Sequence, residues 1–310
     1  MEIIRGLHNI RPAHRGCVAT IGSFDGVHHG HQLLLAHLNA KRDELASPSV
    51  LITFEPLPRE YFAGGVKAGR LTRFREKATL LMRVGIDRMI CLPFNAQVSQ
   101  ISATSIIEDF LVGQLGVRYL VVGDDFRFGR GREGDYTMLK GAGDRFGFEV
   151  SHVGTLTFDH QRVSSSRIRE ALGAGDIKRA EKLLGHSFFI TGHVMYGRQL
   201  GRQLGVPTAN IALHRYRAPL DGVFAVTVAG LDRTYEGIAN VGVRPTIGGK
   251  EPLLEVHLFD FADDIYGRLL TVTFRHKLRD ECQFASLDAL KTQIGHDIDA
   301  ARAWFGGNRG

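Results

Sequence analysis

Residues 22–31, "GSFDGVHHGH", place three histidines, three glycines and one aspartate within ten positions. Two chemistries use such residues. His28 and His31, three apart, share a face if helical, as metal ligands would. Zinc, however, needs a third and often a fourth ligand, and no HExxH pattern occurs anywhere in the chain. Phosphate binding fits better. Gly22, Gly26 and Gly30 let backbone approach a ligand, and a helix start offers unpaired N–H groups with a positive dipole. Imidazoles there donate to phosphate oxygens as charge builds. His29 lies between them and is given no role.

A second dense stretch is "GHVMYGRQLGRQLGVPTAN" (192–210). Gly192, Gly197, Gly201 and Gly205, with Arg198 and Arg202, suit a backbone cradle for phosphates. Thr208 and Asn210, after Pro207, offer neutral oxygens of the kind Mg²⁺ prefers. There is no GxxxxGK[ST], so this is not a P-loop, and glycine spacing alone describes a hairpin loop equally well. "GRGREG" (129–134) also fits GxGxxG, but it follows a late strand and opens no helix, so a turn is expected.

Elements that could position these residues follow from periodicity. Up to about residue 180, strand-like and helix-like runs alternate. Strands are expected at 17–24, 49–56, 88–94, 118–126 and 148–154. Helices are expected at 31–46, with Leu34, Leu38 and Leu45 on one face, and at 73–85, closed by Gly85. Ser105 and Glu108 resemble a capping box opening a helix over 106–116. Further short helices are expected at 164–175 and within 176–187. Repeated βα units imply a doubly wound parallel sheet, whose ligands sit beyond the carboxyl ends of the strands. The 22–31 stretch lies just there.

After residue 185, strand-like runs at 188–195, 222–230, 235–242, 253–261 and 268–278 follow one another without helices, which predicts an antiparallel barrel or sandwich. A terminal helix over 286–305 is capped by Ser286, with Leu287, Leu290, Ile294, Ile298, Ala301 and Phe305 on its apolar face. The expected domains are 1–182 and 183–310.

The chain has 310 residues, 44% hydrophobic and 23% charged, with a net charge of +6. This is the balance of a soluble globular protein. The basic residues form no long block of the kind that marks a nucleic-acid arm. No apolar run is long enough to span a bilayer. Cys17, Cys91 and Cys282 are far apart, which predicts buried free thiols and a cytoplasmic setting. No nucleic-acid or membrane partner is expected; the oligomeric state is left open between a monomer and a weak homo-oligomer.

"GSFDGVHHGH" resembles the HxGH nucleotidyltransferase signature as used by bacterial bifunctional riboflavin kinase/FMN adenylyltransferases, the prokaryotic FAD synthetases. "VGDDFRFGRGREGD" (122–135) and "RVSSSRIREAL" (162–172) are similar to that family's next two motifs. The resemblance implies a Rossmann-like adenylyltransferase domain converting FMN and ATP to FAD and pyrophosphate. By position, His28 and His31 then contact the ATP phosphates, together with Gly22, Phe24, Asp25, Gly26 and Gly30. Asp25 orients the loop or helps place Mg²⁺. Ser165, Ser166 and Arg169 match the segment gripping pyrophosphate, while Gly123, Asp125, Phe126 and Phe128 border nucleotide and flavin. FMN phosphate is already an anion and needs no strong base, so positioning and electrostatics carry this step.

"PTAN" resembles the flavokinase signature. "ANVGVRPT" (239–246), with Asn240, Arg244 and Thr246, resembles the family's next segment. Glu255 in "LEVHLFDF" matches its catalytic base. The resemblance implies a riboflavin kinase barrel in which Thr208 and Asn210 hold Mg²⁺. The riboflavin hydroxyl, unlike FMN phosphate, is a poor nucleophile until a base accepts its proton. One departure stands out: Leu57 occupies a place where the family often has histidine. Two other readings compete. One is a monofunctional FMN adenylyltransferase with a flavin-binding barrel, against which Glu255 and the intact "PTAN" argue. The other is a nucleic-acid-binding protein, which lacks a KMSKS-like partner motif.

Overall fold

The computed structural model describes residues 1–64, 68–197, 205–213, 217–246 and 249–308. The chain divides into two compact units, residues 1–67 with 74–164, and residues 68–73 with 165–310.

The first unit carries a six-stranded, all-parallel sheet: β1 Glu2–Arg5, β2 Val18–Ile21, β3 Ser49–Glu55, β4 Arg88–Pro93, β5 Tyr119–Gly123 and β6 Glu149–Val153, in the order β1-β4-β3-β2-β5-β6. Its central strands are apolar without alternation, and every residue of β2 is buried, as expected where both faces are covered. One face packs Ala19, Ile52, Ile90 and Val122 against Ile107, Phe110, Leu111 and Leu139. From β2 the chain winds outward through β3 and β4, and later resumes on the other side of β2 with β5. The winding direction therefore reverses between β2 and β5, which makes the crevice beyond their carboxyl ends the switch point.

The helices of this unit are α1 His29–Glu44, α2 Pro58–Phe62, α3 Phe74–Arg83, α4 Ala96–Ser99, α5 Ala103–Ser105 and α6 Tyr136–Phe146. Helix α1 begins two residues earlier than its apolar pattern predicts, because His28 serves as its N-cap. It buries Leu34, Leu35 and Leu38; Leu45 is instead its C-cap. Gly85, at φ +83°, follows α3 as expected. Ser105 is not a cap. Ser102 is, accepting the Ser105 N–H, and α5 runs on into a π-helical stretch, Ile106–Gln114. Glu108 accepts from Arg145 (3.1 Å) rather than closing a capping box. A short hairpin, β7 Thr157–Phe158 and β8 Gln161–Arg162, was not foreseen. "GRGREG" forms a 3₁₀ turn over Arg130–Arg132 and opens no helix.

The second unit contains α7 Ser165–Gly173, α8 Ile177–Leu184 and a closed antiparallel barrel. Its strands are β9 Phe189–Met195, β10 Ala209–Ile211, β11 Gly222–Ala229, β12 Tyr235–Thr246, β13 Gly249–Leu258 and β14 Leu269–Arg279, ordered β10-β13-β12-β11-β14-β9, with β9 closing onto β10. Aromatic side chains help to fill the interior: Phe224 meets Phe274 edge to face (5.3 Å between centroids). The terminal helix α9, Leu287–Gly307, is capped by Ser286 as predicted. It packs Ala301 and Phe305 on Ala225, Ile238 and Phe259, with Ile294 and Ile298 alongside. Leu287 does not join that face; it is 58% exposed, because the first turn of α9 is almost wholly at the surface. An ion pair ties α9 down, the half-buried Arg279 on β14 gripping the buried Asp297 with Nε and Nη2 (2.8–3.1 Å).

None of the three cysteines is in a disulfide, and Cys17 and Cys91 are buried. Cys282 is exposed, contrary to expectation, in the irregular segment before α9. Among the described residues, no helix is long and apolar enough to cross a membrane.

Candidate active sites

Residues 22–28 join β2 to α1 through a strained turn. Phe24 (φ +45°) and Val27 (φ +43°) adopt left-handed backbone, costly for a β-branched residue, and Gly26 (φ +91°) sits between them. Strain of this kind persists only where surrounding structure holds it. Here Gln32 donates to the Val27 carbonyl (2.8 Å), and Phe24 and Val27 are fully enclosed. A side chain at Gly22 would press on the Phe24 ring (3.0 Å), and one at Gly30 on the His28 ring (3.3 Å).

The turn delivers the two histidines as a pair. His28 Nδ1 accepts the His31 backbone N–H, and the rings stack with centroids 3.6 Å apart. With Nδ1 occupied as acceptor, a neutral His28 carries its proton on Nε2. Burial is the main reason both imidazoles stay uncharged: His28 is pushed down to about 4, and His31 well below its ordinary value. Asp25 opposes the shift at His28, Arg162 adds to it at both rings, and His28 and Lys77 add to it at His31. His29 is exposed.

Asp25, 2% exposed, pairs with Arg59 of α2 (2.7 Å). Leu57 is packed inside the fold at 1% exposure, and its backbone N–H caps α2 through Glu60 (3.0 Å). Gly123 ends β5 and Asp125, Phe126 and Phe128 follow it, on the other side of the switch point. The Phe126 and Phe128 rings stack (5.5 Å), and Arg162 donates to Asp125 (2.6 Å), holding its carboxyl below the usual range. Arg59, Lys77 and Arg162 were not among the expected site residues, since each lies far in sequence from the 22–31 stretch. The third predicted group, Ser165, Ser166 and Arg169, lies on α7 in the second unit, where Arg169 Nε donates to the Gly69 carbonyl (2.6 Å). Among the described residues, no cluster of three or more His, Cys, Asp or Glu is arranged to hold a metal.

In the barrel, Glu255 on β13 stands opposite Asn210 on β10 and Asn240 on β12. Cross-strand partners share a face, so the three form one row across three strands. Asn240 Oδ1 is buried and has no hydrogen-bond partner among the described residues. Gly197 lies against Asn210: a Cβ there would come within 2.6 Å of Asn210 Cγ. Gly192, on β9, is as tightly placed against Ile211 Cγ2 (2.7 Å), and Gly205 has φ +80°. The Pro207 carbonyl accepts from His257 Nδ1 (2.8 Å), fixing the approach to Thr208 and β10. Arg244 and Thr246 continue the β12 backbone opposite Glu251 and Gly249. Gly201, Arg198 and Arg202 lie outside the described residues.

A doubly wound parallel sheet with a switch-point crevice in one unit and a closed antiparallel barrel in the other set the fold class. Comparison with known proteins identifies the family. A family model described as FAD synthetase matches residues 10–167, and one described as riboflavin kinase matches residues 184–305. A Pseudomonas fluorescens protein described as a bifunctional riboflavin kinase/FMN adenylyltransferase is 51% identical over 304 residues, covering 98% of this chain and 97% of its own. Proteins of the same description from Haemophilus influenzae and Escherichia coli K12 are 47% and 46% identical, each over at least 98% of both chains. This chain belongs to the bifunctional riboflavin kinase/FMN adenylyltransferase family. It phosphorylates riboflavin to FMN and adenylylates FMN to FAD, using ATP in both steps. A Streptococcus pneumoniae crystal structure described as a macrolide-efflux protein has the same fold, with a TM-score of 0.83 and 31% identity over 98% of this chain and all of that one.

Proposed function

We propose that adenylyl transfer runs at the β2–α1 turn and phosphoryl transfer at the Asn210–Glu255–Asn240 row, within domains 1–182 and 183–310. The observation that carries the first assignment is the capped, stacked pair His28 and His31 at a helix start on the switch point. Two neutral rings of low proton affinity are poor bases, which suits a step in which the nucleophile is already an anion. They act as donors to the phosphates of ATP, drawing closer to the imidazolium form as negative charge accumulates. Gly22, Gly26 and Gly30 allow backbone to approach the same phosphates. Phe126, half-buried and backed by the buried Phe128, offers flat apolar surface to nucleotide or flavin.

In the barrel, Glu255 accepts the proton of the riboflavin hydroxyl. Thr208 and Asn210 supply neutral oxygens of the kind Mg²⁺ prefers, and the orphaned Asn240 Oδ1 fits a site that is completed by a ligand. Mg²⁺ bound there would neutralise phosphate charge. The two buried free thiols suit a reducing, cytoplasmic setting.

The test is one time course: the pure chain with riboflavin, ATP and Mg²⁺, flavins separated chromatographically. FMN should rise before FAD. His28→Ala should stop the course at FMN, and Glu255→Ala should stop it at riboflavin while FAD still forms from added FMN. Loss of both steps in either folded variant would refute the assignment of separate sites.

A further inference from the structure

Lys77 of α3 has no part in either reading so far, yet it is a charged residue only 3% exposed. Its Nζ donates to the Ser23 carbonyl (2.5 Å) and lies 3.2 Å from the Thr53 hydroxyl, which itself donates to Ser23 (3.4 Å). One nitrogen therefore joins α3, the β2–α1 turn and β3. Burying an ammonium is costly, so its place beside the turn is a defined feature of this unit. The charge also reaches the site, because Lys77 is one of the groups that disfavour protonation of His31.

We propose that Lys77 is a positioning residue for adenylyl transfer: a buried cation that clamps the 22–26 turn and supplies a fixed positive field where the ATP phosphates bind. This rests on the reading of His28 and His31 as phosphate-facing. A charge already in place needs no reorganisation during reaction, the condition under which electrostatic stabilisation is most effective. The other groups acting on His31 are His28 in the same turn and Arg162 at the end of β8. Asp25 acts on His28 and is itself paired with Arg59.

The test compares full-length Lys77→Gln, which keeps a donor but removes the charge, with Thr53→Val, which keeps the charge but removes one partner. Lys77→Met keeps the stem volume and carries the same comparison if glutamine does not fold. Thermal melting and riboflavin phosphorylation check integrity. Lys77→Gln should lower kcat/KM for ATP in adenylyl transfer by roughly 10²-fold, and Thr53→Val by less than about threefold. With the repelling cation gone, His31 takes a proton more readily. Proton uptake by His31, followed by NMR, should therefore move to higher pH in Lys77→Gln, a displacement that mere loosening common to both variants would not single out. Wild-type kcat/KM and wild-type His31 titration in Lys77→Gln, or equal losses in the two variants, would overturn the proposal. His31→Asn separates the premise: if that variant still makes FAD, the phosphate-facing reading fails. If it does not, while Lys77→Gln is normal, only the role of Lys77 fails.

Discussion

Gly30 and His28 are in near-contact: a methyl group at Gly30 would stand 3.3 Å from His28 Cε1 and 3.4 Å from Nδ1. Nδ1 is also the atom that caps α1. The glycine therefore does more than free the backbone; it leaves room for a ring whose position is set by a cap bond and a stacked neighbour. Gly30→Ala should tilt His28 while adding helix propensity at the start of α1. Adenylyl transfer is expected to fall about tenfold with no loss of melting temperature, a combination read by the FMN-to-FAD assay beside a thermal scan.

Removing either ring should be more severe than tilting one. His28→Ala and His31→Ala each delete a donor aimed at developing phosphate charge, worth roughly 10²–10³ in rate. Riboflavin phosphorylation should be unchanged in both. Steady-state kinetics of each half-reaction in the same preparation measures the contrast.

Glu255→Gln should have the opposite selectivity. The amide keeps the side-chain shape opposite Asn210 and Asn240 but cannot accept the hydroxyl proton. FMN formation should drop by about 10²–10⁴-fold, and FAD formation from supplied FMN should persist. Raising the pH should restore part of the lost rate, as hydroxide replaces the missing base.

Much of this was legible in residue order. The run of βα units set the parallel sheet, and five helix-free strands set the barrel, because period-3.6 and period-2 patterns stay distinct over such lengths. The sixth barrel strand, β10, escaped notice: it is three residues long, begins inside "PTAN", and acquires strand geometry only by pairing with β9 and β13. The edge strand β1 escaped for a related reason, since it alternates poorly and is held by β4 alone. The capping box at Ser105 failed because the following helix takes a π pitch, with Leu115 N–H bonding to Phe110. At the site, glycines and histidines were visible as a cluster. Arg59, Lys77 and Arg162 converge from three distant segments, and no local spacing encodes that.

The terminal helix offers a stability test. Asp297 is 4% exposed and is held by the Arg279 guanidinium and by Gln293 Nε2 (2.9 Å). Asp297→Ala would leave the half-buried Arg279 guanidinium without its carboxylate, at a cost of about 1–3 kcal/mol. Circular dichroism should show earlier melting of helix. The lone tryptophan, Trp304 on α9, stacks on His276 and should report the same event by fluorescence.

Acid sensitivity of the first unit follows from His28. Its folded-state value, about 4, lies below the ordinary 6.5, so the unfolded chain binds the proton more readily. Stability from this group is complete above pH 6.5 and is lost progressively as pH falls toward 4. At pH 5 the loss amounts to about 2 kcal/mol, and His31, shifted in the same direction, adds to it. Urea titrations at pH 7.5 and pH 5 should therefore show a lower midpoint in acid for the wild-type chain. The difference should shrink in His28→Gln, which keeps a side chain able to accept the His31 N–H but cannot be protonated in this range. An unchanged acid shift in that variant would mean that other groups govern the acid response.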